Sequence, residues 1–166
     1  MDIVYVETSI VSYASAWPSR DIETAARQQQ ARDWWSLERP KFDLVTSQLT
    51  IREASAGDPT AVADRLRLLD GLPLVDIGSD TDALAARLLA AHTMPQKAVA
   101  DALHVAAAAL GGVKYLLTLN CKHIANAHEL PRIYELLECE GLGQMLICTP
   151  AEFLGGDPYD GETTDP

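Results

Sequence analysis

The chain reads as an α/β domain, a central parallel sheet of about five strands with helices on both faces. Three observations predict this. Five short stretches, DIVYV, DLVTS, LVDI, KYLLTL and QMLIC, are rich in β-branched, Leu and Tyr residues. Helical patterns separate each from the next, and strands alternating with helices build a parallel sheet. Polar residues follow several of these strands directly, where open α/β sheets place their ligands.

The 166 residues are 48% hydrophobic and 22% charged, a balance that supports one domain with a substantial core. No repeat or linker divides it. The domain is expected to span 1–154. Residues 155–166 are rich in Gly, Pro and acid, and are expected to be a disordered tail. The net charge of −11 disfavours broad, non-specific nucleic-acid binding but permits a local site where cations bridge acid to phosphate. Cys121, Cys139 and Cys148 are scattered and odd in number, without zinc-type spacing, which suggests a reducing, cytoplasmic compartment. Ala14-Ser15-Ala16 looks like a signal-peptidase site, but no basic segment precedes it and Glu7 interrupts the apolar run. No apolar run approaches a membrane span, so no membrane partner is expected.

The first strand is Asp2–Val6, and Glu7-Thr8-Ser9 follows it. Thr8 or Ser9 can cap a helix starting near Ile10, with Glu7 as a turn acid. Capping by the hydroxyls leaves Glu7 itself unexplained. Asp21 caps a long helix to about Glu38, which Pro40 stops. Its Trp34 and Trp35 read as core or interface residues ahead of base-stacking ones. Asp43–Ser47 is the second strand, followed by a helix over Gln48–Ala56 that carries Arg52 and Glu53. Pro59–Asp70 is helical, Leu74–Ile77 the third strand, and Thr81–His92 an amphipathic helix.

Pro95 can open the next helix and Gly111-Gly112 can close it. Ala98, Val99, Ala100, Ala102, Leu103, Val105 and Ala106 circle the whole cylinder, the mark of a buried helix. Asp101 lies within it and needs a partner. Lys97, one turn earlier, offers an i,i+4 ion pair, and a metal ion shared with other acids is the alternative. Lys114–Leu119 is the fourth strand, ending on Asn120. A helix over Arg132–Glu140, a fifth strand over Gln144–Cys148 and a capping box at Thr149-Pro150-Ala151-Glu152 complete the chain.

Glu7, Glu53 and Asn120 thus fall past three strand ends, and Asp101 is on the helix leading into the fourth strand. Three carboxylates and an amide can converge on one pocket, where unpaired they would repel. Such oxygen ligands suit Mg²⁺ or Mn²⁺.

VYVETSIVSY, SQLTIREAS, ADALHVAAA, LLTLNCKHIANA and ICTPAEFL, in that order and spacing, resemble the PIN-domain ribonucleases, most closely the VapC-type toxins of bacterial toxin–antitoxin pairs. The resemblance covers about residues 2–154 and implies a PIN-like three-layer sandwich. It places the acids at Glu7, Glu53 and Asp101, with Asn120 where a fourth acid often stands. The first position is more often Asp, so Glu7 is one methylene longer. Asn120 can ligate through its carbonyl oxygen but adds no charge. The resemblance implies that Mg²⁺ (or Mn²⁺) on these residues activates a water for in-line attack on an RNA phosphodiester. Thr8, Ser9 and Thr118 would orient ligands or water. His104, three residues after Asp101 on much the same helix face, reads as a core histidine ahead of a support for Asp101 or a phosphate contact. Lys122 and His123 are candidate RNA phosphate contacts or parts of a solvated loop, and Arg52 is a candidate to hold Glu53 or to reach RNA. A small antitoxin and a homodimer are the implied partners, with Trp34 and Trp35 as the candidate docking face. The rival readings are a non-catalytic PIN-like module that binds RNA or protein, and an α/β phosphatase, for which the usual DxD pair is missing.

Overall fold

The computed structural model describes residues 1–91 and 93–155. Five parallel strands run through its centre: β1 (Ile3–Val6), β2 (Asp43–Ser47), β3 (Leu74–Val75), β4 (Tyr115–Leu117) and β5 (Leu146–Cys148). Their order is β3-β2-β1-β4-β5. The register pairs Val4 with Leu44 and Tyr115, and Val6 with Leu117. The chain therefore builds outward from β1 in one direction, then returns to the other side of β1 with β4. The junction of β1 and β4 is the point at which strand order reverses, and their C-terminal ends open the crevice that such sheets use for ligands.

Helices cover both faces, as the alternation predicts. On one face α1 (Thr8–Ser15), α2 (Ile22–Asp33), α3 (Gln48–Ala54) and α4 (Pro59–Leu69) pack on Val4, Val6, Leu44 and Leu117. On the other, α5 (Ser79–Ala90), α6 (Val99–Leu110) and α7 (Leu130–Cys139) pack on Tyr5, Leu116 and Ile147. Neighbouring strand residues point to opposite layers, as the pleat requires. Leu84 and Leu88 of α5 are wholly buried, worth about 2 kcal/mol each. The expected capping box forms: Thr149 N–H donates to Glu152 Oε2 at 2.8 Å, and a short 3-10 turn follows.

Several boundaries differ from the expectation. Glu7, not Thr8 or Ser9, is the N-cap of α1. The long helix changes character at Trp34, where residues Trp34–Glu38 widen into a π-helical turn before a 3-10 turn at Arg39–Lys41. β3, β4 and β5 are shorter than the apolar runs that announced them, because their outer residues lie beyond the paired ladder. α3 ends at Ala54, α5 runs from Ser79 to Ala90, and α7 begins at Leu130 with Pro131 in its first turn. His92, the expected end of α5, lies outside the described residues, as does the tail beyond Gly155.

α6 begins at Val99 rather than Pro95. Pro95–Lys97 form a turn closed by the Ala98 N–H on the Pro95 carbonyl at 2.8 Å. Ala98 is buried and non-helical (ψ 43°), so packing of that residue sets the start. Lys97 is consequently off the helix and exposed, and makes no ion pair with Asp101. Nor is α6 buried all round: Val99, Ala100 and Leu110, though apolar, face solvent, while Ala102 and His104–Ala109 are buried. At its far end a Cβ on Gly111 would meet Val75 Cγ1 at 2.8 Å, so α6 and β3 approach too closely for a side chain there.

Trp34 is fully buried and stacks on Phe42, with centroids 6.1 Å apart, and Phe153 meets it edge-on. This corrects the docking role given to it: Trp34 is a core residue. Trp35 is half-buried with the Arg39 guanidinium over its ring. Among the described residues no helix is long and apolar enough to cross a membrane.

Candidate active site

The site is assembled at the C-terminal ends of β1 and β4. Glu7 continues β1, its N–H bonding Leu117 O at 3.1 Å, and then caps α1. Its Oε2 accepts the Ser9 N–H at 3.1 Å, the Thr118 hydroxyl at 2.7 Å, and the Ser9 hydroxyl. The α1 N-terminus favours the negative charge. Ser9 Oγ in turn accepts the Leu119 N–H at 2.7 Å, and Thr118 Oγ1 accepts the Asn120 N–H at 2.9 Å. Ser9 and Thr118 thus donate to the Glu7 carboxylate.

Glu53 reaches the same place from α3. Its Oε1 accepts the Thr8 hydroxyl at 2.6 Å and lies 2.5 Å from His104 Nε2. His104 is wholly buried in α6, and its Nδ1 is 2.8 Å from the Tyr5 hydroxyl. Tyr5 also meets Ser47 Oγ at 2.7 Å. Burial raises the Tyr5 phenol to about 12, so it stays protonated and able to donate. Burial works against the Glu53 charge, but the His104 and Thr8 hydrogen bonds and the nearby Arg52 charge outweigh it, holding the carboxyl below its ordinary range. His104 is thus both a core histidine and a support for an acid, but the acid is Glu53 and not Asp101.

Ligand atoms of Glu7, Glu53 and His104 all lie within 4.8 Å of one another. Asp101 adjoins this group without belonging to it. It sits in the first turn of α6, half-buried, its Oδ1 accepting Asn120 Nδ2–H at 3.0 Å. Burial raises its pKa, and the charge of Glu53 adds to this; His123, the Asn120 hydrogen bond and His104 oppose it. The Asn120 carbonyl oxygen, the atom that sequence offered to a metal, accepts the His123 N–H at 3.0 Å. Asn120 is therefore engaged at both ends as a brace between Asp101 and the loop after β4. His123 is half-buried against this site, its Nδ1 without a partner. Arg52 and Lys122 are exposed.

The PIN domain family model matches residues 4–130. The chain belongs to the PIN domain family. No curated protein and no solved structure matches it. The matched residues carry Glu7, Glu53, Asp101 and Asn120. PIN domains are generally nucleases and generally use divalent metals.

The donor set of this PIN domain fits such a metal. Each of the three carboxylates is held through one oxygen, Glu7 Oε2, Glu53 Oε1 or Asp101 Oδ1, and the other oxygen accepts no hydrogen bond among the described residues. None of those free oxygens is sealed away from solvent. No Lys or Arg forms an ion pair with any of the three among the described residues. Pre-positioned hard oxygen donors without a resident cation are what Mg²⁺ or Mn²⁺ binds.

Sequence reasoning missed Tyr5. Its signal was a phenol in an otherwise aliphatic strand, since a buried Tyr hydroxyl needs a partner. Arg27 and Tyr13, which line a cleft beside Glu7, carried no such signal.

Proposed function

We propose that this PIN domain is a metal-dependent endoribonuclease that hydrolyses RNA phosphodiester bonds. The observation that carries the reading is the pair Glu7 and Glu53, drawn together at the strand-order reversal with one oxygen of each left free. Two carboxylates this close repel unless a cation stands between them. Glu7, Glu53 and Asp101 would hold Mg²⁺ or Mn²⁺. When bound, the metal supplies the charge that eases proton loss from water and polarises a phosphate. The protein's own residues do the positioning. Ser9 and Thr118 fix Glu7, Thr8 and His104 fix Glu53, and Asn120 fixes Asp101. Second-sphere hydrogen bonds of this kind are worth about 10–100-fold in metal affinity.

The finer reading is a VapC-type toxin, supported by the five motifs from VYVETSIVSY to ICTPAEFL. Its partners would be a small antitoxin, whose basic segment the acidic group suits, and a second copy of the chain. Cys121, Cys139 and Cys148 are all free thiols, which supports a cytoplasmic setting. The engagement of Asn120 by Asp101 and His123, in place of a fourth acid, favours as second reading a catalytically weak module that binds RNA or protein.

Purified protein incubated with RNA in Mg²⁺, Mn²⁺ or chelator tests the first reading. Cleavage that needs the metal and disappears in Glu53→Gln supports it. RNA binding without cleavage by the wild type would favour the second.

A further inference from the structure

Beside Glu7 the surface opens into a cleft of about 540 Å³ lined by Glu7, Ser9, Tyr13, Arg27, Leu119, Asn120, Cys121 and Lys122. That is room for a small polar ligand or one unit of a chain. Arg27 comes from α2 and Lys122 from the loop after β4, so two separate elements each bring a cation to one space. Arg27 and Cys121 line the same cleft, so α2 and the loop after β4 face one another across it. The Tyr13 hydroxyl beside the guanidinium favours its charged form, and Glu23, one turn earlier on α2, adds to this. Neither Arg27 nor Lys122 forms an ion pair among the described residues. The cleft thus holds two cations against the one carboxylate of Glu7, in a chain whose net charge is −11. Two cations converging on one space make it the place on this acidic surface where an anion is locally favoured.

We propose that this cleft holds a phosphate adjacent to the cleavage position of single-stranded RNA, through Arg27 and Lys122, with Tyr13 offering its ring to the neighbouring base. The proposal rests on the nuclease reading for which phosphate is cut, but not for the binding itself. Glu7 belongs both to the cleft wall and to the acidic group, and Ser9, also in the wall, donates to it, so a strand in the cleft runs directly to the carboxylates. Arg presents a planar fork suited to phosphate oxygens, and Lys a point charge. An aromatic ring beside a cationic groove is the recurring platform for single strands. A duplex would demand a wide basic face, which an acidic surface with two clustered cations does not offer.

The test is fluorescence anisotropy of a short labelled single-stranded RNA of mixed sequence, and of its duplex, in Ca²⁺ to fill the oxygen site. Wild type, Arg27→Ala, Lys122→Ala, the charge-retaining Arg27→Lys, and Arg67→Ala on α4 as a remote control are compared, with melting curves to show that each is folded. Arg27→Ala and Lys122→Ala are expected to weaken single-strand binding about tenfold each and to lower the salt slope by about 1. Arg27→Lys should recover part of the loss, and Arg67→Ala should bind as wild type. Unchanged binding in both cleft variants, an equal loss in the control, or preference for the duplex would overturn the proposal. So would a cleft whose mutation abolishes capture of a protein partner while RNA binding persists. If the wild type binds RNA through Arg27 but cuts none in Mg²⁺ or Mn²⁺, the nuclease reading falls and the cleft remains an RNA site.

Discussion

His104 joins the core to the acidic site: its Nδ1 lies 2.8 Å from the Tyr5 hydroxyl and its Nε2 2.5 Å from Glu53 Oε1. With His104 neutral, every atom is satisfied when the donors run in one direction. Ser47 donates to Tyr5, Tyr5 to Nδ1, and the Nε2–H to the carboxylate. A phenol on β1 therefore sets the tautomer of a histidine on α6, which sets the orientation of an acid on α3. Tyr5→Phe removes the donor and leaves Nδ1 buried without a partner, a cost of about 1–3 kcal/mol. Denaturant unfolding should show that loss, and titration should show Mn²⁺ affinity reduced about tenfold. Equal Mn²⁺ affinity in the variant would make His104 structural only.

Asn120→Asp separates the role of a brace from that of a ligand. Its Nδ2 now donates to Asp101 at 3.0 Å. A carboxylate there would set two like charges at hydrogen-bond distance, so the metal-free variant should melt lower than wild type. With Mn²⁺ present the added charge is compensated, and the variant should gain more in Tm than wild type does. Thermal melts in chelator and in Mn²⁺ check both signs, and an equal gain in the two proteins would remove Asn120 from the metal's surroundings.

The acids of the site act on stability with opposite signs. The folded pKa of Glu53 is lowered, so its contribution is present above the ordinary Glu value and is lost as pH falls through the lowered one. The folded pKa of Asp101 is raised, so its charge costs stability above that raised value and the cost is relieved as pH falls. Both groups are partly exposed, and screening shrinks the effects. In chelator near neutral pH, Asp101→Asn should raise Tm by roughly 1–3 °C while abolishing RNA cleavage. A lower Tm would show that the carboxylate stabilises the metal-free fold.

The sheet was legible in the chain because its strands are apolar runs bounded by turn residues. Glu7 and Asp101 stood out because they interrupt apolar stretches, whereas Glu53, alone an ordinary surface Glu, was singled out by its place past the second strand and by the resemblance of SQLTIREAS. What stayed hidden depended on contacts between distant segments. Trp34 looked like a docking residue since nothing local to it reveals that Phe42 and Phe153 close over it. The start of α6 was set too early because Pro95 signals a helix locally, whereas burial of Ala98 decides it. The Tyr5–His104–Glu53 relay spans three elements, and no spacing along the chain encodes it.

The two tryptophans of opposite exposure give a direct contrast. Trp34→Ala opens a cavity in the aromatic core and should cost about 3–5 kcal/mol. Trp17 is 88% exposed, and Trp17→Ala should stay within about 0.5 kcal/mol of wild type. Chemical denaturation of both variants checks this. A large loss at Trp17 would mean that a second copy of the chain covers it in solution.

The central claim is that Glu7, Glu53 and Asp101 jointly hold a divalent cation. Mn²⁺ binding, followed by its electron paramagnetic resonance signal, tests it most directly in wild type, Glu7→Gln, Glu53→Gln and Asp101→Asn. We expect saturable binding in the wild type and a loss of at least about tenfold in affinity in each variant, with folds intact by circular dichroism. Wild-type affinity retained in all three variants would contradict the account.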